Sequence, residues 1–315
     1  MAFAFVFPGQ GSQYVGMGKA LSESSERVAT TMAAVDMVLD EPLSRLMFDG
    51  PAEQLDQTVN SQPAILACSI AYLRAIEERL RSWEQELPPP AFYAGHSMGQ
   101  YSAMVAAGVI SLADGVRLVR ERGKQMQASA PDGSMAAIIG LPEEQLSALE
   151  AAGQQLGVFT IANRNSPGQI VVSGDRAAVE GAAEKAKELG AKRAIVLPVS
   201  VAAHSPLMAN AATAMREVLA TVEFHDPQAP LLANADARPL TTAEECRAEL
   251  VEHLTRGVDW VKAVEVMSAR GVSRFVEVGP GKVLTGLIKR INPESEAVAV
   301  DEQSAPDRFA MPDLT

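Results

Sequence analysis

The first candidate for chemistry is a serine that lies between two glycines. Residues 95–99 read GHSMG, after the apolar run AFYA and before the helix-like run QYSAMVAAG. On a sharp turn between a strand and a helix, a serine exposes its hydroxyl, and the next backbone N–H points to where a carbonyl oxygen would gain charge. The motif alone also fits an ordinary glycine-rich turn, because it arises by chance in roughly one chain in ten of this length. The flanking strand and helix favour Ser97 as a nucleophile.

A nucleophilic serine needs a base at neutral pH, and histidine is the side chain whose pKa suits that role. The chain has four histidines. His96 adjoins the serine but should point elsewhere on such a turn, and His225 lies in a polar stretch expected at the surface. His204 lies in a loop between a predicted strand and a helix, where it could reach a neighbouring turn, and His253 is its competitor. Because loop histidines are more often solvated than catalytic, these patterns leave the choice open.

Arg122 is a third candidate. It lies on the predicted helix LADGVRLVRERGKQM, which could return its guanidinium to the site. There an arginine could hold a carboxylate through two parallel hydrogen bonds. The commoner position of an arginine is a solvated helix face, and the spacing does not choose between the two.

The elements that would position these residues alternate between strands and helices. Residues 3–7 form a short apolar run before Pro-Gly, typical of a strand buried on both faces of a parallel sheet. Residues 62–80 have the periodicity of an amphipathic helix, and the proline-rich stretch at 85–90 cannot continue it. A late buried strand is predicted in the segment 273–281. Functional loops follow the strands of such sheets.

The middle of the chain predicts a separate small unit. From residue 134 to 199 the elements read strand, helix, strand, strand, helix, strand, which is the order of the split βαβ or ferredoxin-like motif. We therefore expect an α/β protein with a ferredoxin-like subdomain at 131–197, inserted into a larger subdomain made of 1–130 and 198–315.

Composition excludes several classes of protein. The chain has 315 residues, 47% of them hydrophobic, and a formal net charge of −12, so nucleic acid has no overall electrostatic reason to bind. The two cysteines have no ligand-like spacing, which argues against a disulfide framework or zinc site and fits a reducing compartment. No basic leader or membrane-length apolar run occurs. The sequence thus predicts a soluble cytoplasmic protein that binds neither membrane nor nucleic acid.

Seven sequence blocks, in order, carry a family resemblance. They are FPGQGSQ at 7–13, QPA at 62–64, GHSMG at 95–99, RG at 122–123, NSPGQIVVSG at 165–174, PVSVAAHSPLM at 198–208 and EVGPGKVLTGLIKRI at 277–291. Together they resemble the malonyl-CoA:acyl carrier protein transacylases of fatty-acid synthesis and the related acyltransferases of polyketide synthesis. The resemblance implies an α/β-hydrolase-like large subdomain with a ferredoxin-like insert.

The resemblance also implies roles for individual residues. Ser97 would be the nucleophile and His204 its base, in a dyad oriented by the backbone carbonyl near His253, where the family usually has glutamine. Arg122 would hold the carboxylate of a malonyl group. The remaining implied positions are the backbone oxyanion donors Gln10 and Met98, and the substrate-facing residues Asn163, Asn165 and Ala203.

The implied reaction moves a malonyl group from coenzyme A to the thiol of an acyl carrier protein, by ping-pong kinetics and with no metal or other cofactor. Carrier proteins of this kind are acidic, so this acidic chain needs a local basic surface to meet them. The candidates, which could equally be solvated charges, are Arg270, Arg274, Lys282, Lys289 and Arg290.

Three positions depart from the family pattern. Met98 and Gln100 stand where leucine and an acidic residue are common, and Ala203 replaces a larger residue before the histidine. A small side chain there leaves room for a substituted malonyl group, so a polyketide acyltransferase is an alternative. An acyl hydrolase and a non-catalytic carrier-binding module are further alternatives, which the retained Arg122 and the retained dyad disfavour.

Overall fold

Two β-sheets organise the computed structural model, which describes residues 2–199 and 201–300. The strands in chain order are β1 (Ala2–Phe7), β2 (Phe92–Gly95), β3 (Gly133–Ile139), β4 (Phe159–Ser166), β5 (Gln169–Asp175), β6 (Arg193–Val196), β7 (Leu231–Leu232), β8 (Pro239–Leu240), β9 (Val258–Asp259), β10 (Val272–Val278) and β11 (Glu296–Val300).

The helices surround these sheets and connect their strands. They are α1 (Lys19–Ser24), α2 (Glu26–Leu39), α3 (Leu43–Asp49), α4 (Ala52–Leu55), α5 (Thr58–Ser82), α6 (Gly99–Ala106), α7 (Leu112–Ser129), α8 (Leu146–Gln154), α9 (Arg176–Glu188), α10 (Ala209–Leu219), α11 (Ala243–Glu252), α12 (Trp260–Ala269) and α13 (Val283–Ile291). Short 3-10 turns at Glu143–Gln145 and Pro206–Met208 lead into α8 and α10. Within the described ranges, no helix is both long and apolar enough to cross a membrane.

The larger sheet has the strand order β11-β10-β1-β2-β7-β8 and is parallel except for β8. Its central strand β1 is buried from Phe3 to Phe7, as the apolar run predicts. Phe3, Phe5 and Phe7 join one core cluster and the residues between them join another, so each face of the strand has its own core. Because parallel strands end at the same edge, the loops after β1, β2 and β10 meet there.

The smaller sheet has the strand order β6-β3-β5-β4-β9. Strands β3 to β6 alternate with α8 and α9 in the predicted order, and their antiparallel pairing is that of a ferredoxin-like unit. A separate core of small and branched apolar residues lies between this sheet and its two helices. The α/β fold class predicted from the sequence is confirmed.

The boundaries of the two subdomains stay a prediction. The smaller sheet does extend beyond the predicted insert at 131–197, because β9 pairs in parallel with β4 at Asn163 and Arg164. β9 has only two residues, so no sequence pattern marked it as a strand. It connects the end of α11 to the start of α12 and ties the later part of the chain to the insert.

Candidate active site

The turn at residues 95–99 connects β2 to α6, and Ser97 lies at its tip. Ser97 has a φ of 52°, in the left-handed region that non-glycine residues rarely adopt. Glycine is required at positions 95 and 99 because other backbone atoms approach both positions closely. A Cβ on Gly95 would lie 2.1 Å from the backbone of Gly99, and a Cβ on Gly99 would lie 2.2 Å from the carbonyl oxygen of Phe7. The motif therefore forms the sharp strand-to-helix turn that exposes a serine hydroxyl.

His204 lies beside this turn. Its Nε2 is 2.8 Å from Ser97 Oγ, although the two residues are 107 positions apart. Its Nδ1 is 2.6 Å from the carbonyl oxygen of His253 and 3.1 Å from that of Arg256. Carbonyl oxygens only accept, so Nδ1 carries the proton and Nε2 is left to accept one from the serine. The predicted serine, histidine and orienting carbonyl thus lie together.

His204 is neutral in this environment. Burial and the nearby Arg122 guanidinium lower its pKa to about 3, although the hydrogen bonds from Nδ1 to backbone carbonyls oppose that shift. Burial also lowers the pKa of His253 well below its usual value, with Arg122 and His204 adding to the effect. At neutral pH the Nε2 lone pair of His204 is therefore available to Ser97.

Arg122 reaches the same point from α7. Its Nη2 donates to Ser97 Oγ at 3.2 Å and its Nη1 donates to the side-chain oxygen of Gln62 at 2.9 Å. The residue is only 1% exposed, and no carboxylate of the described chain lies within 4 Å of it. Its Nε is buried without a hydrogen-bond partner in that part of the chain. A buried cation without an acidic partner is costly, so this guanidinium favours an anionic ligand.

The arginine reaches the site because α7 packs closely on α5. A Cβ on Gly123 would lie 2.9 Å from the Cα of Val59 and 3.0 Å from the carbonyl oxygen of Thr58. Only glycine permits that approach, which brings Arg122 next to Gln62 on α5. The RG and QPA blocks of the sequence thus meet at one helix contact.

The two predicted oxyanion donors lie on either side of the serine. Met98 follows it in the turn, and Gln10 follows β1 in a loop that passes close to the same turn. A Cβ on Gly9 would be 2.6 Å from the carbonyl oxygen of His96. Among the described residues, neither the N–H of Met98 nor that of Gln10 has a hydrogen-bond partner. Their role as donors stays a prediction, for which both N–H groups are available.

A cleft of about 580 Å³ lies over the serine, between the two sheets. Asn163, Asn165 and Ala203 line it, as the resemblance implies. Asn165 Oδ1 lies 2.8 Å from Nε2 of His96, while Asn163 Oδ1 is buried with no partner in the described chain. The remaining lining includes apolar residues of both subdomains, such as Val171. Substrate could therefore contact amide groups and apolar surface together.

The two unusual residues of the turn do not line this cleft. Met98 is fully buried in the larger core. Gln100 is also buried, where it accepts from the N–H of Gly95 at 3.2 Å and donates to the carbonyl oxygen of Leu232 at 3.0 Å. Gln100 therefore ties β2 to β7. Of the three departures from the family pattern, only Ala203 borders the substrate space.

The predicted basic patch divides into two ends of the larger sheet. Lys282, Lys289 and Arg290 lie on or beside α13, which begins after β10 and borders the cleft. Arg270 precedes β10, at the opposite end from the serine. The prediction for Arg274 is wrong. Its side chain is buried and binds the carboxylate of Glu296 through Nε at 2.9 Å and Nη2 at 2.8 Å, because both residues lie on adjacent strands.

Four residues of the site carried no assigned role in the sequence analysis: Gln62, His96, Asn234 and Glu249. Gln62 lies within the QPA block and His96 within the GHSMG block, and these two blocks are the signals that could have found them. Asn234 and Glu249 lie in none of the seven sequence blocks, and the residues that they contact belong to distant elements. The described residues also contain no group of three or more His, Cys, Asp or Glu that could hold a metal ion.

This geometry defines a serine–histidine acyl-transfer site with a buried arginine. The family model described as "Acyl transferase domain" matches residues 4–304 of this chain, and the chain belongs to that family. Over 96% of its length it is 46% identical to the malonyl CoA-acyl carrier protein transacylase of Escherichia coli K12, of which it covers 97%.

Solved structures give the same result. The acyl-carrier-protein S-malonyltransferase of Bartonella henselae superimposes with a TM-score of 0.90 at 46% identity, over 95% of each chain. A malonyl-transacylase solved in complex with its type II PKS acyl-carrier protein superimposes with a TM-score of 0.90 at 42% identity, over 96% of each chain.

Proposed function

We propose that this protein transfers a malonyl group from coenzyme A to the phosphopantetheine thiol of an acyl carrier protein, through an acyl-serine intermediate. The observation that carries the proposal is the buried Arg122 guanidinium, which has no carboxylate partner in the described chain and lies 3.2 Å from Ser97 Oγ. The serine and histidine supply acyl transfer, and the arginine selects an acyl group with its own carboxylate. The similarity to the transacylase of E. coli supports this activity.

The first half-reaction acylates the serine. His204 Nε2 takes the hydroxyl proton while Ser97 Oγ attacks the thioester carbonyl of malonyl-CoA. The oxyanion that forms accepts hydrogen bonds from the backbone N–H groups of Met98 and Gln10. Collapse of this intermediate breaks the C–S bond, and the departing thiolate of coenzyme A takes the proton back from His204.

The second half-reaction runs the same steps in reverse with a different thiol. The pantetheine thiol of the carrier enters the cleft, His204 takes its proton, and the thiolate attacks the malonyl ester on Ser97. Exchange of one thioester for another changes no oxidation state, and His204 with the two backbone N–H groups supplies the proton transfer and the charge stabilisation, so the proposed reaction uses no metal or redox cofactor. Arg122 holds the malonyl carboxylate throughout, and Asn163 and Asn165 face the acyl or pantetheine chain from the smaller sheet.

The carrier would meet the protein at the face that Lys282, Lys289 and Arg290 form beside the cleft. Arg290 donates to the side chain of Gln169 at 2.6 Å, and Gln169 lines the cleft. Between these charges Val283 is 49% exposed and also borders the cleft. A basic face with an exposed apolar residue suits an acidic partner that delivers a thiol into the cleft. The proposal also places the meeting of this protein with coenzyme A and the carrier in the cytoplasm.

A second candidate substrate is a malonyl group substituted at its central carbon. Ala203 favours it, because this small side chain lines the cleft directly before His204. The structural similarity to a malonyl-transacylase of a type II PKS is compatible with a role in fatty-acid synthesis and with a role in polyketide synthesis.

The test is a competition between malonyl-, methylmalonyl-, ethylmalonyl- and acetyl-CoA, with the acyl adduct read by intact mass. We expect a malonyl adduct on the wild type, none on Ser97→Ala, and loss of the preference for carboxylated groups in Arg122→Ala. Arg120→Ala is the matched control, because Arg120 lies on the same helix but binds Glu41 and Asn60 away from the serine.

Two results would contradict the proposal. An Arg122→Ala variant that keeps its preference for carboxylated groups would remove the arginine from substrate selection. An adduct that hydrolyses within seconds in the absence of carrier would instead indicate an acyl hydrolase.

A further inference from the structure

We propose that Asn234 and Glu249 are positioning residues that hold Ser97 in its turn and in line with His204. Neither residue lines the cleft. Both are buried, and Asn234 comes two residues after β7, the strand that pairs with β2. The inference rests on the proposed function, because the step that it concerns is the acylation of Ser97.

The side chain of Asn234 spans the turn on both sides of the serine. Its Oδ1 accepts from the N–H of Ser97 at 2.8 Å, and its Nδ2 donates to the carbonyl oxygen of Gly95 at 3.1 Å. Ser97 has a left-handed backbone, which is strained for a serine and persists only where its surroundings hold it. Without Asn234, a buried N–H and a buried carbonyl at the turn would lose their partners.

The backbone of Asn234 is held as firmly as its side chain. Its N–H donates to Glu249 Oε1 at 2.7 Å, and its carbonyl oxygen accepts from the N–H of Asp259 at 2.7 Å. Every polar group of Asn234 therefore has a partner, and its amide has one orientation available. Glu249, which is only 1% exposed, is the side chain that completes this arrangement.

The segment that directly follows the helix of Glu249 holds the histidine. Just beyond the end of α11, the carbonyl oxygens of His253 and Arg256 accept from Nδ1 of His204, and the carbonyl of Leu254 accepts from its N–H at 3.1 Å. Helix α11 thus positions Ser97 through Glu249 and Asn234, and the segment that directly follows it positions His204 through backbone carbonyls. A common support explains how two residues 107 positions apart keep a 2.8 Å contact.

The alternative is a buried polar network that stabilises the fold and does nothing for the reaction. A structural role and a positioning role differ in the property that a variant would lose. A structural role lowers the melting temperature and leaves the rate per folded molecule unchanged. A positioning role lowers the rate of serine acylation while the KM for malonyl-CoA stays constant, because the cleft that binds substrate is not altered.

The first test compares Asn234→Ala with Asn292→Ala. Asn292 is the matched control, since its side chain donates to Ser268 at 3.0 Å, away from the cleft. We expect Asn234→Ala to acylate Ser97 about 10- to 100-fold more slowly, with KM for malonyl-CoA changed by less than about twofold, at a temperature where both variants are folded. Asn292→Ala should keep the wild-type rate.

The second test compares Glu249→Gln with Glu249→Leu. Glutamine keeps an oxygen that can accept from the N–H of Asn234, whereas leucine does not. We expect Glu249→Gln to retain more of the acylation rate than Glu249→Leu. The Asn234→Ala/Glu249→Leu double variant should lose less of its acylation rate than the product of the fold-losses of the two single variants. Both substitutions act on one chain of contacts, so their effects overlap. This pair also keeps the proposal testable if Asn234→Ala does not fold.

Reaction with a fluorophosphonate, which labels an activated serine, separates this proposal from the proposed function. If the wild type forms no malonyl adduct but labels rapidly, the proposed function fails and the positioning role is still measured by labelling. If Asn234→Ala labels and acylates at the wild-type rate per folded molecule, or if Glu249→Gln and Glu249→Leu are equally impaired, the positioning role is overturned.

Discussion

At the residue scale, the site depends on two side chains with unusual backbone conformations. Ser97 and His204 have φ angles of 52° and 61°, both in the left-handed region. The surrounding contacts hold them there, and the carbonyl partners of His204 select its tautomer. Burial, together with the nearby charge of Arg122, lowers the pKa of that histidine. A bound malonyl carboxylate would offset the charge of Arg122 and so raise the pKa of His204 when a base is needed.

The low pKa of His204 predicts a flat pH profile for the free enzyme. The base form is the neutral form, and a pKa of about 3 keeps it neutral well below pH 6. The rate of fluorophosphonate labelling at Ser97 should therefore stay nearly constant from pH 8 to pH 5. A histidine of ordinary pKa would lose about 30-fold over the same range.

The same reasoning gives a variant with a shifted profile. In Arg122→Gln the nearby positive charge is gone, so the pKa of His204 rises and labelling should begin to decline at a higher pH than in the wild type. Arg120→Gln, at an arginine that pairs with Glu41, is the control and should keep the wild-type profile. A wild-type midpoint near pH 6.5 would show that burial and Arg122 do not set this pKa.

At the element scale, the contact between α5 and α7 brings the arginine to the serine. Gly123 is the residue that allows it, because a Cβ there would meet the backbone of α5 at Val59 and Thr58. The neighbouring side chain of Arg122 is then fixed by Gln62 at 2.9 Å. The helices thus act as a rigid support for the carboxylate-binding group.

We predict that Gly123→Ala lowers both stability and activity. The added methyl group forces the two helices apart, which should cost about 1–3 kcal/mol in the free energy of unfolding and displace Arg122 from Ser97. Denaturant unfolding and the rate of malonyl adduct formation measure the two effects. Gly286→Ala is the stability control, since a Cβ there meets nothing within 4 Å and should stabilise α13 by about 0.5–1 kcal/mol. If the free energy of unfolding of Gly123→Ala equals that of the wild type, α5 and α7 can move to accommodate the added methyl group, and the prediction is wrong.

At the scale of the whole molecule, the cleft exists because the two sheets meet over the serine. His96, from the turn after β2, contacts Asn165 of β4 across the cleft at 2.8 Å. β9 adds a second connection, since it pairs with the smaller sheet while the N–H of Asp259 donates to the carbonyl oxygen of Asn234, in the turn that follows β7 of the larger sheet. The overall charge is −12, whereas Lys282, Lys289 and Arg290 place three basic side chains on or beside α13.

Charge reversal on that face should affect the carrier step. Lys289→Glu is expected to raise the KM for the carrier roughly fivefold at low ionic strength, and salt should reduce the difference by screening. Acylation from malonyl-CoA does not involve the carrier and serves as the internal reference. Arg270→Glu is the matched control, because that exposed arginine lies at the far end of the sheet. Equal effects of both reversals would remove the α13 face as the docking surface.

Much of the fold could be predicted because local patterns determine it. The apolar run of β1, the strand-to-helix turn at Ser97 and the order of elements in the smaller sheet are all properties of neighbouring residues. The resemblance then selected His204 and Arg122 from several candidates. Arg274 was misplaced because its charge was visible in the sequence, but its partner Glu296 on the next strand was not.

By itself, the sequence determined which chemical groups are available and the local elements that carry them. Only the tertiary structure decided which of those groups meet. Asn234 lies 137 positions from Ser97, after a strand of two residues, and Glu249 reaches it from a helix further along. Such contacts depend on strand order and helix packing, which bring distant segments of the chain together. A local pattern records the conformation of a segment, whereas its partners across the cleft are set by the fold as a whole.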